Sequence, residues 1–399
     1  MSDPIPKLRQ LKSTLCWAAC IEMVAKSMNA AGRGSEPVQQ TILRAYYANK
    51  RLSAKKRKTL IDDFCVIGRD GMIGQDGYPT IAKSKTKAIP EIFRNTFGIE
   101  CQHKVLTKKM PDFSFLKDRM ASGSRVILGL KYPGLVAGQH LVVVVRCVPL
   151  GEIKLLAVHD PSNPAYGTTN CDSEGGVLAY WNYSELCADN AGNNYICFIS
   201  GFQRPLPRTI PAETISANLF WSLDEIGNKV KSWINEMALF GGDESLDANT
   251  RRAFSSLSIT RDDFINEAWN AGSSQILIPI YVSARKKYEI VLAPRDRGAV
   301  NFRFLGFRET VYPDLQDVKT VKIRKANGST EIIDVDHDEP NFSLVHIQPM
   351  DMVFMKFEIA DGDFVTTAYV SPYKIPRFGA SPGDSFSYDK LRELFEHSF

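Results

Sequence analysis

Apolar side chains occupy every side of the helical period in residues 15–28, LCWAACIEMVAKSM, and no breaker interrupts them. That pattern predicts a largely buried helix, with Thr14 placed to cap its first turn. A second helix is predicted over 37–50, opened by Pro37, whose fixed φ suits a first turn. Residues 89–97 are amphipathic and are followed by Gly98, a residue that can close a helix in the left-handed conformation. Residues 113–121 predict another helix and 125–130 a strand. Apolar runs then predict strands at 140–147 and 152–159, joined by a turn at Pro149-Leu150-Gly151, and a further strand at 194–200. Gly68, Gly71, Gly74 and Gly77 predict an irregular loop, and 167–176 reads alike.

Residues 203–211, QRPLPRTIP, carry three prolines, which favour a stiff extended connection. A boundary is therefore expected there: residues 1–203 as one domain, 204–211 as a Pro-rich linker, and 212–399 as a second domain. Beyond it, 212–240 and 247–270 read as helical. From 275 to 370 the runs ILIPIYV, YEIVLA, VNFRFLGF, TVKIRK, MVFMKFEI and FVTTAYV read as strands, with Asn327-Gly328 as a hairpin turn between two of them. The second half is thus expected to be α+β, with helices first and a mainly antiparallel sheet after.

Composition narrows the class. The chain has 399 residues, 44% hydrophobic and 24% charged, which excludes a disordered or fibrous protein and suits two domains. The net charge is only +4, too balanced to imply a nucleic-acid or membrane partner. It is unevenly spread: residues 1–200 hold 26 Lys/Arg against 17 Asp/Glu, and residues 201–399 hold 23 against 28. No stretch approaches the ~20 apolar residues of a membrane span, and MSDPIPKLRQLKS lacks the apolar core of a secretory signal. A cytoplasmic protein is expected, with export by a machine that needs no cleaved signal left open. The 8 cysteines form no C-x-x-C pair and read mostly as reduced thiols.

Cys16 falls in the first turn of the buried helix, where free backbone N–H groups and the helix dipole favour a thiolate. Trp17 can wall such a site. Gln10 lies in the segment leading into the helix, from which its amide and the Cys16 backbone N–H can serve as donors to an oxyanion. A thiolate needs a base, and His140 is the histidine that geometry favours. With the hairpin centred near Leu150, paired positions sum to about 300, so His140 stands opposite Asp160 with Cβ atoms ~4.5–5.5 Å apart. Asp160 can then orient the ring toward Cys16; Asn163 is the fallback third member.

Gln10, then five residues, then Cys16-Trp17-Ala18-Ala19, then Gly138-Gln139-His140 opening an apolar strand, then Val158-His159-Asp160-Pro161, resemble the papain-like cysteine peptidases. The likeness is closest to the compact bacterial branch, which includes leader-cleaving peptidase domains of bacteriocin exporters and effector proteases of plant pathogens. Residues 90–97 followed by 113–130 also look like the helix–helix–strand run of that branch. The resemblance covers residues 8–200 and implies Cys16 as nucleophile, His140 as base, Asp160 as orienting residue and Gln10 as oxyanion donor. Asp-Pro at the third position departs from the Asn of plant papains and keeps the chemistry. Residues 205–399 carry no such resemblance. The fold implied for 1–203 is α+β, a helix carrying the cysteine packed on an antiparallel sheet carrying the histidine and aspartate.

The function expected is a cysteine endopeptidase acting on a specific protein or peptide, without cofactor or metal, with residues 212–399 serving substrate recognition, a regulatory partner or autoinhibition. The alternatives are an acyltransferase or deamidase with the same triad, or a catalytically silent binding module. Other features read as structure. Cys20, one turn after Cys16, reads as packing. Cys101 and His103, with Cys65 or Cys171, match no zinc spacing. The basic run from Lys50 to Lys58 has no interleaved aromatics and reads as a solvated helix end.

Overall fold

One mainly antiparallel sheet gathers most of the strands, and helices cover it. The computed structural model describes residues 5–11, 15–30, 36–48, 50–62, 64, 86–107, 109–130, 140–161, 173, 175–189, 194–200, 209–211, 220–237, 246–248, 253–282, 285–294, 302–309, 315, 318–325, 329–337, 340–348, 352–361, 364–375 and 378–398. Among these residues the large sheet has 16 strands. In spatial order its main path runs Cys101–Thr107, Asn194–Ser200, Arg125–Leu130, His140–Leu150, Ile153–Asp160, Val177–Asn182, Phe302–Glu309, Arg285–Pro294, Ser273–Val282, Phe254–Thr260, Ser343–Gln348, Met352–Asp361, Phe364–Val370 and Ser385–Ser387. Every neighbouring pair on this path is antiparallel except Phe254–Thr260 beside Ser343–Gln348.

The run Leu141–Val144 is buried on both faces, as a continuous apolar strand requires. Leu141 and Val143 join the core around helix Cys16–Ser27, while Val142 and Val144 join a second core on the other face. Helices Val38–Tyr47 and Ala88–Phe97 complete the first core, the latter closed by Gly98 at φ +66°. Helix Phe113–Ala121 is capped by the Asp112 carboxylate, which accepts from the Ser114 N–H. The cap expected from Thr14 falls outside the described residues; the capping position is Leu15, whose side chain makes no capping bond.

The sheet does not stop at the proline-rich stretch. Val177–Asn182 pairs with Phe302–Glu309, and residues from both halves share two apolar clusters. Thr209–Pro211, expected within a linker, is a strand paired with Lys109–Pro111. In the second half, 212–240 contributes one described helix, Leu223–Glu236, opened by a Ser222–Glu225 capping box. The helices expected over 247–270 give way to strands Leu246–Ala248 and Phe254–Thr260, followed by only two short turns of helix, Arg261–Ile265 and Trp269–Ala271. The alternation Phe254, Ser256, Ser258 against Leu257, Ile259 is a strand period, and pairing on both sides fixes it. The Asn327-Gly328 hairpin is realised as Thr320–Arg324 against Thr330–Asp334, its turn lying outside the described residues. Among the described residues no helix is long and apolar enough to cross a membrane.

Candidate active site

Cys16 is the first residue of its helix and is half-buried. Leu15 supplies no side-chain acceptor, so the first backbone N–H groups remain aimed at the Cys16 end. Trp17, beside Cys16, is fully buried and packs against Tyr46, with ring centroids 5.5 Å apart. Cys20 is fully buried and its Sγ donates to the Leu141 carbonyl at 3.2 Å. Burial, with the nearby Cys16 and Asp160 charges, pushes its thiol well above the usual range, so it packs rather than reacts. That bond ties the cysteine helix to the residue after His140.

His140 and Asp160 are both buried, and His140 Nε2–H donates to Asp160 Oδ1 at 2.6 Å. With Nε2 engaged, Nδ1 is the nitrogen left for the Cys16 thiol, which hydrogen-bonds His140. Burial opposes the imidazolium, but the Asp160 charge and hydrogen bond, aided by Cys16, outweigh it. His140 is therefore held well above the ordinary imidazole range. The stabilisation this gives is complete below the unfolded imidazole pKa and is lost as pH rises through the raised value.

The register that joins the two differs from expectation. The turn is Gly151-Glu152, with Gly151 at φ +52°, so pairs next to it run Leu150↔Ile153 to Arg146↔Ala157. Extended without change, that register puts His140 and Asp160 on opposite faces. Val145 is an unpaired bulge residue, and beyond it Val144 faces Val158 and Val143 faces His159. His140 and Asp160 thus share a face as diagonal rather than directly opposed neighbours.

Gln10 is buried on a strap, residues 5–11. Its N–H donates to the Pro161 carbonyl at 2.7 Å, which places it beside the end of the strand carrying Asp160. Upstream, Lys7 Nζ lies 2.6 Å from Glu309 Oε2, so the second half of the chain also touches the strap. His159, on the face opposite Asp160, holds Pro6: because a carbonyl only accepts, Nδ1 carries the proton of this 3.2 Å bond. Burial, with Lys7 nearby, outweighs that bond and the Glu309 charge and lowers His159 to about 4. Adjacent residues thus serve opposite ends, His159 a neutral anchor and Asp160 the partner of a charged ring.

A base whose pKa falls on folding withdraws stability as pH drops below its unfolded value. His159→Gln keeps a donor for Pro6 but does not titrate. Between pH 6.5 and 4 the unmodified chain is expected to lose about 3 kcal/mol relative to this variant. Denaturant unfolding at the two pH values checks it; parallel pH dependence in both chains would contradict it.

The structure brings together Cys16, His140 and Asp160 and sets Gln10 beside them through the backbone. Asn163, the 68–77 loop, Gly138-Gln139, Cys65 and Cys171 lie outside the described residues. His103 Nε2 lies 3.0 Å from Thr86 Oγ1. Cys16, Cys20, Cys101, Cys147 and Cys187 are free thiols. Three features of the site were not read from sequence: the Val145 bulge, the close approach of Gly176 to the strap, and a buried Glu22–Gln39 pair beneath it. Glu22, the sole carboxylate in the apolar run 15–28, was the available signal. No family model matches the sequence, and no curated protein matches it.

Proposed function

We propose that the chain is a cysteine endopeptidase of papain-like type, acting on a specific protein substrate. The observation that carries this reading is the 2.6 Å His140–Asp160 hydrogen bond beside Cys16 at a helix N-terminus. In this reading His140 holds its proton opposite a Cys16 thiolate. The sulfur attacks the scissile carbonyl, and the oxyanion is met by Gln10 and the Cys16 backbone N–H. His140 protonates the departing amine, then takes a proton from the water that frees the acyl-enzyme. Asp160 keeps the ring oriented and charged. In this reading residues 212–399 serve substrate recognition, partner binding or autoinhibition.

The test is to incubate the full chain and Cys16→Ala with a protein mixture, then label new α-amino groups and identify them by mass spectrometry. New termini in the parent reaction that vanish in Cys16→Ala are expected. Amide side chains converted to carboxylates without new termini would make it a deamidase, and acyl adducts would make it a transferase. Equal termini from both chains would end the reading.

A further inference from the structure

We infer that Gln39 is a positioning residue for the oxyanion donor, acting through the backbone on either side of Gln10. Gln39 sits in the first turn of helix Val38–Tyr47 and is fully buried. Its Oε1 accepts from the Leu11 N–H at 2.9 Å, and its Nε2 donates to the Arg9 carbonyl at 2.8 Å. The side-chain amide therefore pairs with the strap as a neighbouring strand would, and it brackets Gln10.

Three consecutive N–H groups are fixed in this way to three different segments. Arg9 donates to the Ser173 carbonyl at 2.8 Å, Gln10 to the Pro161 carbonyl at 2.7 Å, and Leu11 to Gln39. Gln39 is itself held from the cysteine helix. Its Nε2 also donates to Glu22 Oε2 at 2.9 Å. Glu22 Oε1 accepts from Ser173 Oγ at 2.8 Å and lies 2.9 Å from Lys26 Nζ. A carboxylate only 2% exposed is tolerable because three donors meet it. The result is a closed ring: strap, Gln39, Glu22, Ser173 and strap again. The nucleophile and Glu22 share one helix, so the ring sets the donor relative to the sulfur.

Neither Gln39 nor Glu22 takes part in the chemistry proposed for Cys16. An oxyanion donor works by being in place before charge develops, and a misplacement of about 1 Å can cost about 100-fold. The inference rests on Gln10 being that donor. The test therefore compares two reactions of the same sulfur in the full-length protein. Alkylation by iodoacetamide forms no oxyanion. Acylation by p-nitrophenyl acetate does: the sulfur–acyl bond forms, the ester C–O bond breaks, and p-nitrophenolate leaves with the electron pair. Cys16→Ala supplies the background from the other thiols.

In Gln39→Met, Cys16 acylation is expected to fall by about 10- to 100-fold while alkylation changes by less than about twofold. Glu22→Gln, which keeps one acceptor oxygen, is expected to lower the acylation-to-alkylation ratio in the same direction. An unchanged ratio in folded Gln39→Met overturns the inference, and an unchanged ratio in Glu22→Gln does so if the first variant does not fold. An unchanged ratio in Gln10→Ala overturns it by a different route, since Gln10 is then no oxyanion donor. Cys16 alkylation no faster than that of the other thiols instead defeats the peptidase reading.

Discussion

Replacing Asp160 with alanine is expected to leave a folded chain whose Cys16 reacts like an ordinary thiol. The reason lies in the balance at His140. Burial disfavours the imidazolium and is the largest influence on the ring; the Asp160 charge and its 2.6 Å hydrogen bond are what reverse it. Without Asp160 the ring becomes neutral near pH 7, and no cation faces the sulfur. An unassisted thiol, with a pKa near 8.5, is only about 0.3% ionised at pH 6. A thiolate held by a cation is also a weaker nucleophile, so the net loss in alkylation at pH 6 is expected to be about tenfold or more rather than several hundredfold. Asp160→Asn, which retains an acceptor oxygen, should lose less. Rates measured from pH 5 to 9 would decide; an unchanged profile in Asp160→Ala would detach the carboxylate from the chemistry.

Gly176→Ala is expected to have a large effect on stability. Gly176 has φ +99°, and a Cβ there would stand 2.5 Å from the Leu8 oxygen, 2.9 Å from the Leu8 carbonyl carbon and 3.0 Å from the Asp160 oxygen. All three are backbone atoms, so no side chain can swing aside. Backbone strain of about 1–3 kcal/mol adds to overpacking of about 1–3 kcal/mol. The strap bearing Gln10 is pushed off the strand bearing Asp160, or the fold absorbs a cost of about 2–6 kcal/mol. Gly98 provides the control: it too has positive φ, at +66°, but nothing lies within 4 Å of its would-be Cβ. Gly98→Ala should cost only about 1–2 kcal/mol. Equal losses in guanidinium unfolding would mean that the strap does not press on Gly176.

The helix of Cys16 and its neighbours were legible because their patterns are local. The histidine strand and the aspartate strand were legible too, yet their pairing was reached through two offsetting errors. The turn lies later than the apolar runs suggest, and the bulge at Val145 restores the face that this later turn would have lost. Nothing in the run Leu141–Val145 could have fixed that register, because every residue in it is apolar and suits either face. Gln39 was illegible for a different reason. It bonds to backbone atoms of a strap far away in sequence, and backbone partners leave no complementary residue to find. Glu22 was a missed cue, since a carboxylate in a buried helix must meet donors. The pairing of Val177–Asn182 with Phe302–Glu309 is likewise nonlocal, and prolines between the halves suggested a separation that the shared sheet does not follow.

The proposed chemistry makes Cys16 a nucleophile activated by His140. It is tested most directly by alkylating the full chain with iodoacetamide across pH 5 to 9 and reading each cysteine by peptide mass spectrometry, in the parent chain and in His140→Ala. Rapid labelling of Cys16 already below pH 7, faster than that of any other cysteine, and its loss in His140→Ala are expected. Labelling of Cys16 that rises only near pH 8–9 and is indifferent to His140→Ala would contradict that chemistry.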